Sequence, residues 1–126
     1  MILALFALLS ANGQQPEVSI PPAYQGVWDA YPSACNYAVS DMRLGISSGD
    51  FTIYRDQFRV HRVTRKDDGT LVINVSFRWH DEVDAEGFSE PYDLVWNLSQ
   101  SGNELTMTSS KGATTWHRCS IKREGK

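Results

Sequence analysis

From Leu71 to His80 the chain reads LVINVSFRWH, and its residues alternate in kind. Leu71, Ile73, Val75, Phe77 and Trp79 fall on one side, and Val72, Asn74, Ser76, Arg78 and His80 on the other. A period of two belongs to a strand, whose successive side chains point to opposite faces. A helix would scatter the same apolar residues around its axis. Shorter copies of the pattern occur at Met42, Leu44 and Ile46; at Phe51 and Ile53; at Phe58 and Val60; at Tyr92, Leu94, Trp96 and Leu98; and at Leu105 and Met107. Gly-containing turns separate them, and no long helical pattern follows the N-terminal apolar run.

Turn positions then decide which residues face each other. A two-residue turn at Ser48-Gly49 predicts Ile46 opposite Phe51 and Leu44 opposite Ile53. One at Ser101-Gly102 predicts Leu98 with Leu105 and Trp96 with Met107. One at Lys111-Gly112 predicts Met107 with Trp116, and one at Asp56-Gln57 predicts Ile53 with Val60. A longer loop, Asp81 to Glu90, predicts Trp79 with Tyr92 and Phe77 with Leu94. Apolar meets apolar in each pair. The hairpin at Asp68-Gly69 does not fit so simply. A two-residue turn pairs Phe58 with Trp79 and Val60 with Phe77 but sets Arg62 against Val75. A three-residue turn over Asp68, Gly69 and Thr70 pairs Val63 with Val75. Both hold only if one extra residue sits at His61-Arg62, which predicts a β-bulge there.

With Tyr24 to Ala30 as the first, the chain offers eight strands in sequence order. The architecture that follows is all-β, an eight-stranded antiparallel up-and-down barrel, with a two-sheet β-sandwich as the alternative. Met1 to Leu9 is apolar but falls short of the roughly 20 residues a membrane span needs. It fits the apolar core of a secretory signal, with Ala11 and Gly13 as the small residues of a cleavage site. Residues 1–13 therefore read as a signal peptide. Residues 14–23 read as an extended linker, because Pro16, Pro21 and Pro22 deny it regular hydrogen bonding. Residues 24–121 are the single barrel domain and 122–126 a polar tail. The expected location is outside the cytoplasm, periplasmic or secreted, with no membrane span once the leader is gone.

A net charge of −3 provides no bulk positive field for nucleic acid. His61, His80 and His117 lack metal-helix spacing and fall on outer faces or strand ends. No Gly-x-Ser-x-Gly and no phosphate-binding Gly loop occurs. The chain thus reads as a non-enzyme with no catalytic residues, cofactor or metal. Asp81, Glu82, Asp84, Glu86 and Glu90 read as a solvated acidic connection rather than a calcium loop. Arg55, Arg59, Arg62, Arg65 and Lys66 form a basic strand able to meet an acidic partner. Tyr54, Arg59, Arg78 and Asp93 fall in one outer row, where a ring and an ion pair would hold both arginines. Asn74 and Asn97 stand in glycosylation sequons that carry no meaning in a bacterial protein. Trp28, Trp79, Tyr92 and Trp96 are the candidate wall residues of an apolar pocket at one barrel end.

Gly26-Val27-Trp28 lies in the first strand, and Arg118 lies on the last, in phase with Trp116. This arrangement resembles the lipocalin and avidin-type barrels, the calycins. The resemblance implies that Arg118 packs across Trp28 where first and last strands meet, and it adds Arg118 to the candidate ligand-binding residues. The chain is also similar to small exported bacterial proteins of uncharacterised activity. They share a leader, a Gly-x-Trp segment, a Cys a few residues later and a final strand ending near Arg-Cys; here these are Trp28, Cys35 and Arg118-Cys119. That resemblance supports a Cys35–Cys119 disulfide and brings no activity with it. First and last strands are neighbours in a closed barrel, and export favours oxidation, so the bridge is also geometrically reasonable. The function expected is that of an exported, monomeric binding module for a small apolar ligand. The alternative is an inhibitor or interaction protein acting on another exported protein.

Overall fold

The computed structural model describes residues 19–78 and 87–120. Eight strands follow in order: β1 (Gly26–Asp29), β2 (Arg43–Ile46), β3 (Asp50–Ile53), β4 (Asp56–Arg65), β5 (Leu71–Arg78), β6 (Tyr92–Leu98), β7 (Glu104–Ser109) and β8 (Gly112–Arg118). Each pairs antiparallel with the next, and β8 returns to β1 through Trp28 opposite Arg118, which closes the barrel. Closure leaves no sheet edge, so the sandwich is excluded. The strand expected over Tyr24 to Ala30 is shorter, because Pro22–Tyr24 forms a 3₁₀ turn first. A second 3₁₀ turn, Pro32–Asn36, follows β1 and packs against it.

Inner and outer faces fall as the alternation dictates, but several pairings slide. Ile46–Phe51, Leu44–Ile53, Leu98–Leu105 and Trp96–Met107 form as expected. Trp116 faces Leu105 rather than Met107, because the β7–β8 turn lies at Ser110-Lys111, with Ser109 opposite Gly112. Ile53 faces Asp56 rather than Val60, because the chain turns already at Tyr54-Arg55. Phe58 faces Phe77 and Val60 faces Val75. Tyr92 faces Val75 and Leu94 faces Ile73, so the pairs expected with Trp79 and Phe77 do not form; Trp79 itself lies outside the described residues. Every slide is by an even number of residues. An odd slide would turn a whole strand's apolar set into water, so the core fixes the parity while the turns fix the count.

The predicted bulge is present between Val60 and Arg62. Regular alternation would place Arg62 on the inner face with Phe58 and Val60. The extra residue, His61, instead sends Arg62 outward opposite Asn74 and Val63 inward opposite Ile73. The five-residue connection Lys66 to Thr70 replaces the shorter turn expected at Asp68-Gly69, and Val63 accordingly meets Ile73 rather than Val75.

The lumen is crossed by a chain of rings. Phe77 lies 5.0 Å from Phe58, Phe58 stacks on Phe51 at 4.6 Å, Phe51 meets Trp96 edge-on at 5.2 Å, and Trp96 reaches Tyr24 at 6.0 Å. Such offset and tilted ring pairs add about 0.5–1.5 kcal/mol each to the burial they already represent. Tyr24 and Ile20 close one barrel end, both buried, with the Ile20 amide donating to the Ser48 carbonyl at 2.7 Å. The C-terminal part of the segment read as a linker is therefore packed against the barrel. Cys35 and Cys119 form a disulfide, with Cα atoms 5.4 Å apart.

Candidate functional site

Three places in the barrel were reasonable sites: the seam, the lumen and the basic outer wall. At the seam, Trp28 is fully buried, and its indole N–H donates to the Tyr24 carbonyl at 3.1 Å. The Arg118 guanidinium lies 4.2 Å from the Trp28 ring centroid. It also donates to the carbonyls of Ala23 at 2.6 Å, Gln25 at 3.1 Å and Gly102 at 3.1 Å. Gly26 allows this approach. Its φ is +121°, and an added Cβ would stand 3.4 Å from an Arg118 nitrogen. Arg118 thus ties the N-terminal segment, β8 and the β6–β7 turn together. All of these partners are the protein's own backbone.

At the end of β1, Asp29 is fully buried and accepts from the Tyr31 amide at 2.9 Å and from Arg43 Nε at 3.0 Å. Arg43 donates on to the carbonyls of Ala34 at 2.7 Å and Tyr37 at 3.0 Å, holding the second 3₁₀ turn. Burial works to raise the Asp29 pKa. Hydrogen bonds from Tyr31, Arg43 and Ser40 outweigh it and keep the carboxyl below its ordinary value.

In the lumen, three of the four expected wall residues, Trp28, Tyr92 and Trp96, lie among the described residues. Trp28 and Trp96 are both fully buried in the packed core, whereas Tyr92 is 39% exposed at the rim. Burial pushes the Tyr92 phenol up. Trp79 lies outside the described residues. Among the described residues, the buried indole N–H groups of Trp96 and Trp116 have no hydrogen-bond partner.

The outer wall holds a cleft of about 330 Å³. Arg62, Thr64 and Arg65 line it from β4, Val72 and Asn74 from β5, and Asp93 from β6; Lys66 and Asp67 line it from the connection after β4. Asn74 donates to Asp93 at 2.8 Å. No ion pair among the described residues engages Arg62, Arg65 or Lys66. The expected row of Tyr54, Arg59, Arg78 and Asp93 does not form. Arg59 faces Ser76, Arg78 faces Gln57 and Asp93 faces Asn74, because both hairpins slid. Phe88, which no pattern in the sequence singled out, carries Arg59 at 4.1 Å and Arg78 at 5.3 Å, while Tyr54 carries Arg55 at 5.0 Å.

The histidines are accounted for separately. His61 Nε2 lies 2.8 Å from Ser76 Oγ, and Ser76 is only 3% exposed. His117 Nδ1 lies 3.8 Å from a Glu104 carboxylate oxygen. His80 and the acidic residues Asp81 to Glu86 lie outside the described residues; Glu90 is exposed. Among the described residues, no three His, Cys, Asp or Glu side chains gather to hold a metal, and no helix is long and apolar enough to cross a membrane.

No family model, no curated protein and no solved structure matches the chain.

Proposed function

We propose that this barrel is an exported, non-catalytic binding module that engages another exported protein through the outer wall of β4 and β5. The observation that carries this is the bulge at His61. It takes Arg62 off the inner face and sets it in the cleft beside Arg65 and Lys66, on a chain whose net charge is −3. Bulges that re-aim one side chain recur beside binding sites. The chain of rings through the lumen favours an outer surface over an interior one. The disulfide supports an oxidising compartment. Burial of Ser76, 3% exposed with its Oγ 2.8 Å from His61 Nε2, supports a non-catalytic reading. The Arg118–Trp28 packing beside Gly26 supports placing the barrel with the calycins in architecture.

One observation favours a second reading, a small molecule held inside. The unpartnered N–H groups of Trp96 and Trp116 would be satisfied by a ligand that offers an acceptor to an otherwise apolar interior. The test is affinity capture from the native host's extract, read by native mass spectrometry. A protein retained by the wild type and lost with Arg62→Glu is the expected result. A small co-purifying mass, with no protein that depends on Arg62, overturns the outer-wall reading in favour of the interior one.

A further inference from the structure

We infer that the cleft on β4 to β6 is a receptor for an acidic, extended peptide segment of the partner. This inference rests on the outer-wall reading above and adds the chemistry of what docks there. Arg62, Arg65 and Lys66 line one concavity together with the carboxylates of Asp67 and Asp93, of which Asp93 is engaged by Asn74, so the cations outnumber the carboxylates by one. None of the three cations is in an ion pair among the described residues. The cleft therefore presents unspent donors to a carboxylate, and the planar fork of Arg62 suits bidentate capture.

The lining selects for more than charge. Thr64, Val72 and Asn74 share the lining and are half-buried, with Val72 opposite Thr64 and Asn74 opposite Arg62, so the surface beside the cations is partly apolar. Arg62 and Lys66 sit four residues apart in sequence, Arg62 within β4 and Lys66 just beyond it. At roughly 3.3 Å per residue their backbones stand about 13 Å apart. An extended peptide places same-face side chains about 6.6 Å apart, so carboxylates four positions apart span that distance, with a small apolar residue midway between them on the same face to meet Val72. A flat anionic membrane surface would meet Arg62 and Lys66 but would not enter a concavity that Val72 and Asn74 also line.

The barrel lies closed on itself, so the peptide cannot add as a strand, and side chains must supply the affinity. Binding should be fast, weak and salt-sensitive, as expected for half-exposed charge pairs. The test uses a fluorescein-labelled pentapeptide with Glu at its first and last positions, Val at its centre and Ser between, followed by anisotropy on the oxidised protein. The expected result is binding that weakens about tenfold or more when salt rises from about 50 to about 500 mM. It should weaken at least about tenfold in Arg62→Glu/Lys66→Glu and stay unchanged in Lys111→Glu, which alters charge on the distant β7–β8 turn. A thermal melt establishes that the double variant is folded. Absent binding by the wild type, or equal binding by the double variant, overturns the inference. So does binding to phosphatidylglycerol vesicles without binding to the peptide. If peptide binding fails while partner capture still depends on Arg62, only the acidic-peptide inference falls; if capture ignores Arg62, the outer-wall reading falls with it.

Discussion

Arg118 lies over Trp28, 4.2 Å from its ring centroid, and spends its donors on the carbonyls of Ala23, Gln25 and Gly102. The side chain of the last strand thereby fixes the first strand and the segment before it. Replacing it with Ala removes the cation–π contact and leaves three carbonyls short of a donor. Arg118→Ala should lower unfolding free energy by about 2–4 kcal/mol. Arg118→Lys should recover little of that, because an ammonium cannot fork to three carbonyls while lying on the ring. Urea unfolding of both variants checks this; a fully stable Lys variant would show that charge alone suffices.

The disulfide acts on the same seam from outside. Cys35 and Cys119 are separated by 84 residues, so the bridge closes nearly the whole described chain into a loop. The chain-entropy model gives about 4–5 kcal/mol for such a loop. Cys35→Ser/Cys119→Ser should shift the urea midpoint by a corresponding amount, with the barrel still formed at low temperature. A double Ser variant as stable as the oxidised protein would overturn this.

Asp29 predicts how stability responds to acid. Its carboxyl titrates below the ordinary 3.8 despite burial, because Tyr31, Arg43 and Ser40 hold the charged form. Between 3.8 and the lower folded value, the unfolded chain binds a proton that the folded chain refuses. The stabilisation is therefore complete above about pH 4 and is lost as pH falls through the folded value. Asp29→Asn should cost about 1–3 kcal/mol at neutral pH and flatten the acid limb of a stability–pH curve. Some slope will remain, since Thr70 holds Asp68 low by backbone and hydroxyl hydrogen bonds in the same sense. An acid limb as steep in the variant as in the wild type would assign the effect elsewhere.

The faces of this barrel were legible because parity is all that burial requires. Leu71, Ile73 and Val75 are fully buried as their alternation demands. Register was legible only where turn residues announce it, as at Ser101-Gly102, where Gly102 takes φ +82°. At Tyr54-Arg55 nothing announces the turn: Tyr54 itself adopts φ +58°, an uncommon state for a residue with a side chain. Its amide donates to the Arg43 carbonyl at 2.8 Å, a tertiary contact that local sequence does not encode. The cleft was invisible for a related reason. Arg62 and Lys66 stood out as charges, but their meeting with Asn74 and Asp93 depends on the registers of β4, β5 and β6 together.

Trp28 and Trp96 offer a controlled comparison, since both are fully buried indoles on the inner face. Trp28 donates to the Tyr24 carbonyl, whereas the Trp96 N–H has no partner among the described residues. Replacing each by Phe removes similar volume. In Trp28→Phe the substitution also breaks a hydrogen bond, and in Trp96→Phe it removes an unsatisfied donor. Trp28→Phe should therefore be the more destabilising by about 1–3 kcal/mol. If Trp96→Phe proves equally costly in chemical denaturation, its N–H has a partner within the barrel, which would favour an interior ligand or bound water.

The bulge gives the sharpest test of how the outer wall is built. His61 is the residue that β4 carries in excess over β5, between Val60 opposite Val75 and Arg62 opposite Asn74. Deleting His61 leaves Val60 inward, Arg62 outward and Val63 inward in a regular ladder. That deletion should change stability by less than about 2 kcal/mol and keep Arg62 beside Asn74 in backbone NMR contacts. Deleting Asn74 from β5 removes a residue where none is in excess. It turns Ile73 or Val75 into water and should abolish cooperative unfolding. If the His61 deletion is the one that unfolds, the contact between His61 and Ser76, rather than the phase of the strand, is what β4 needs at this point.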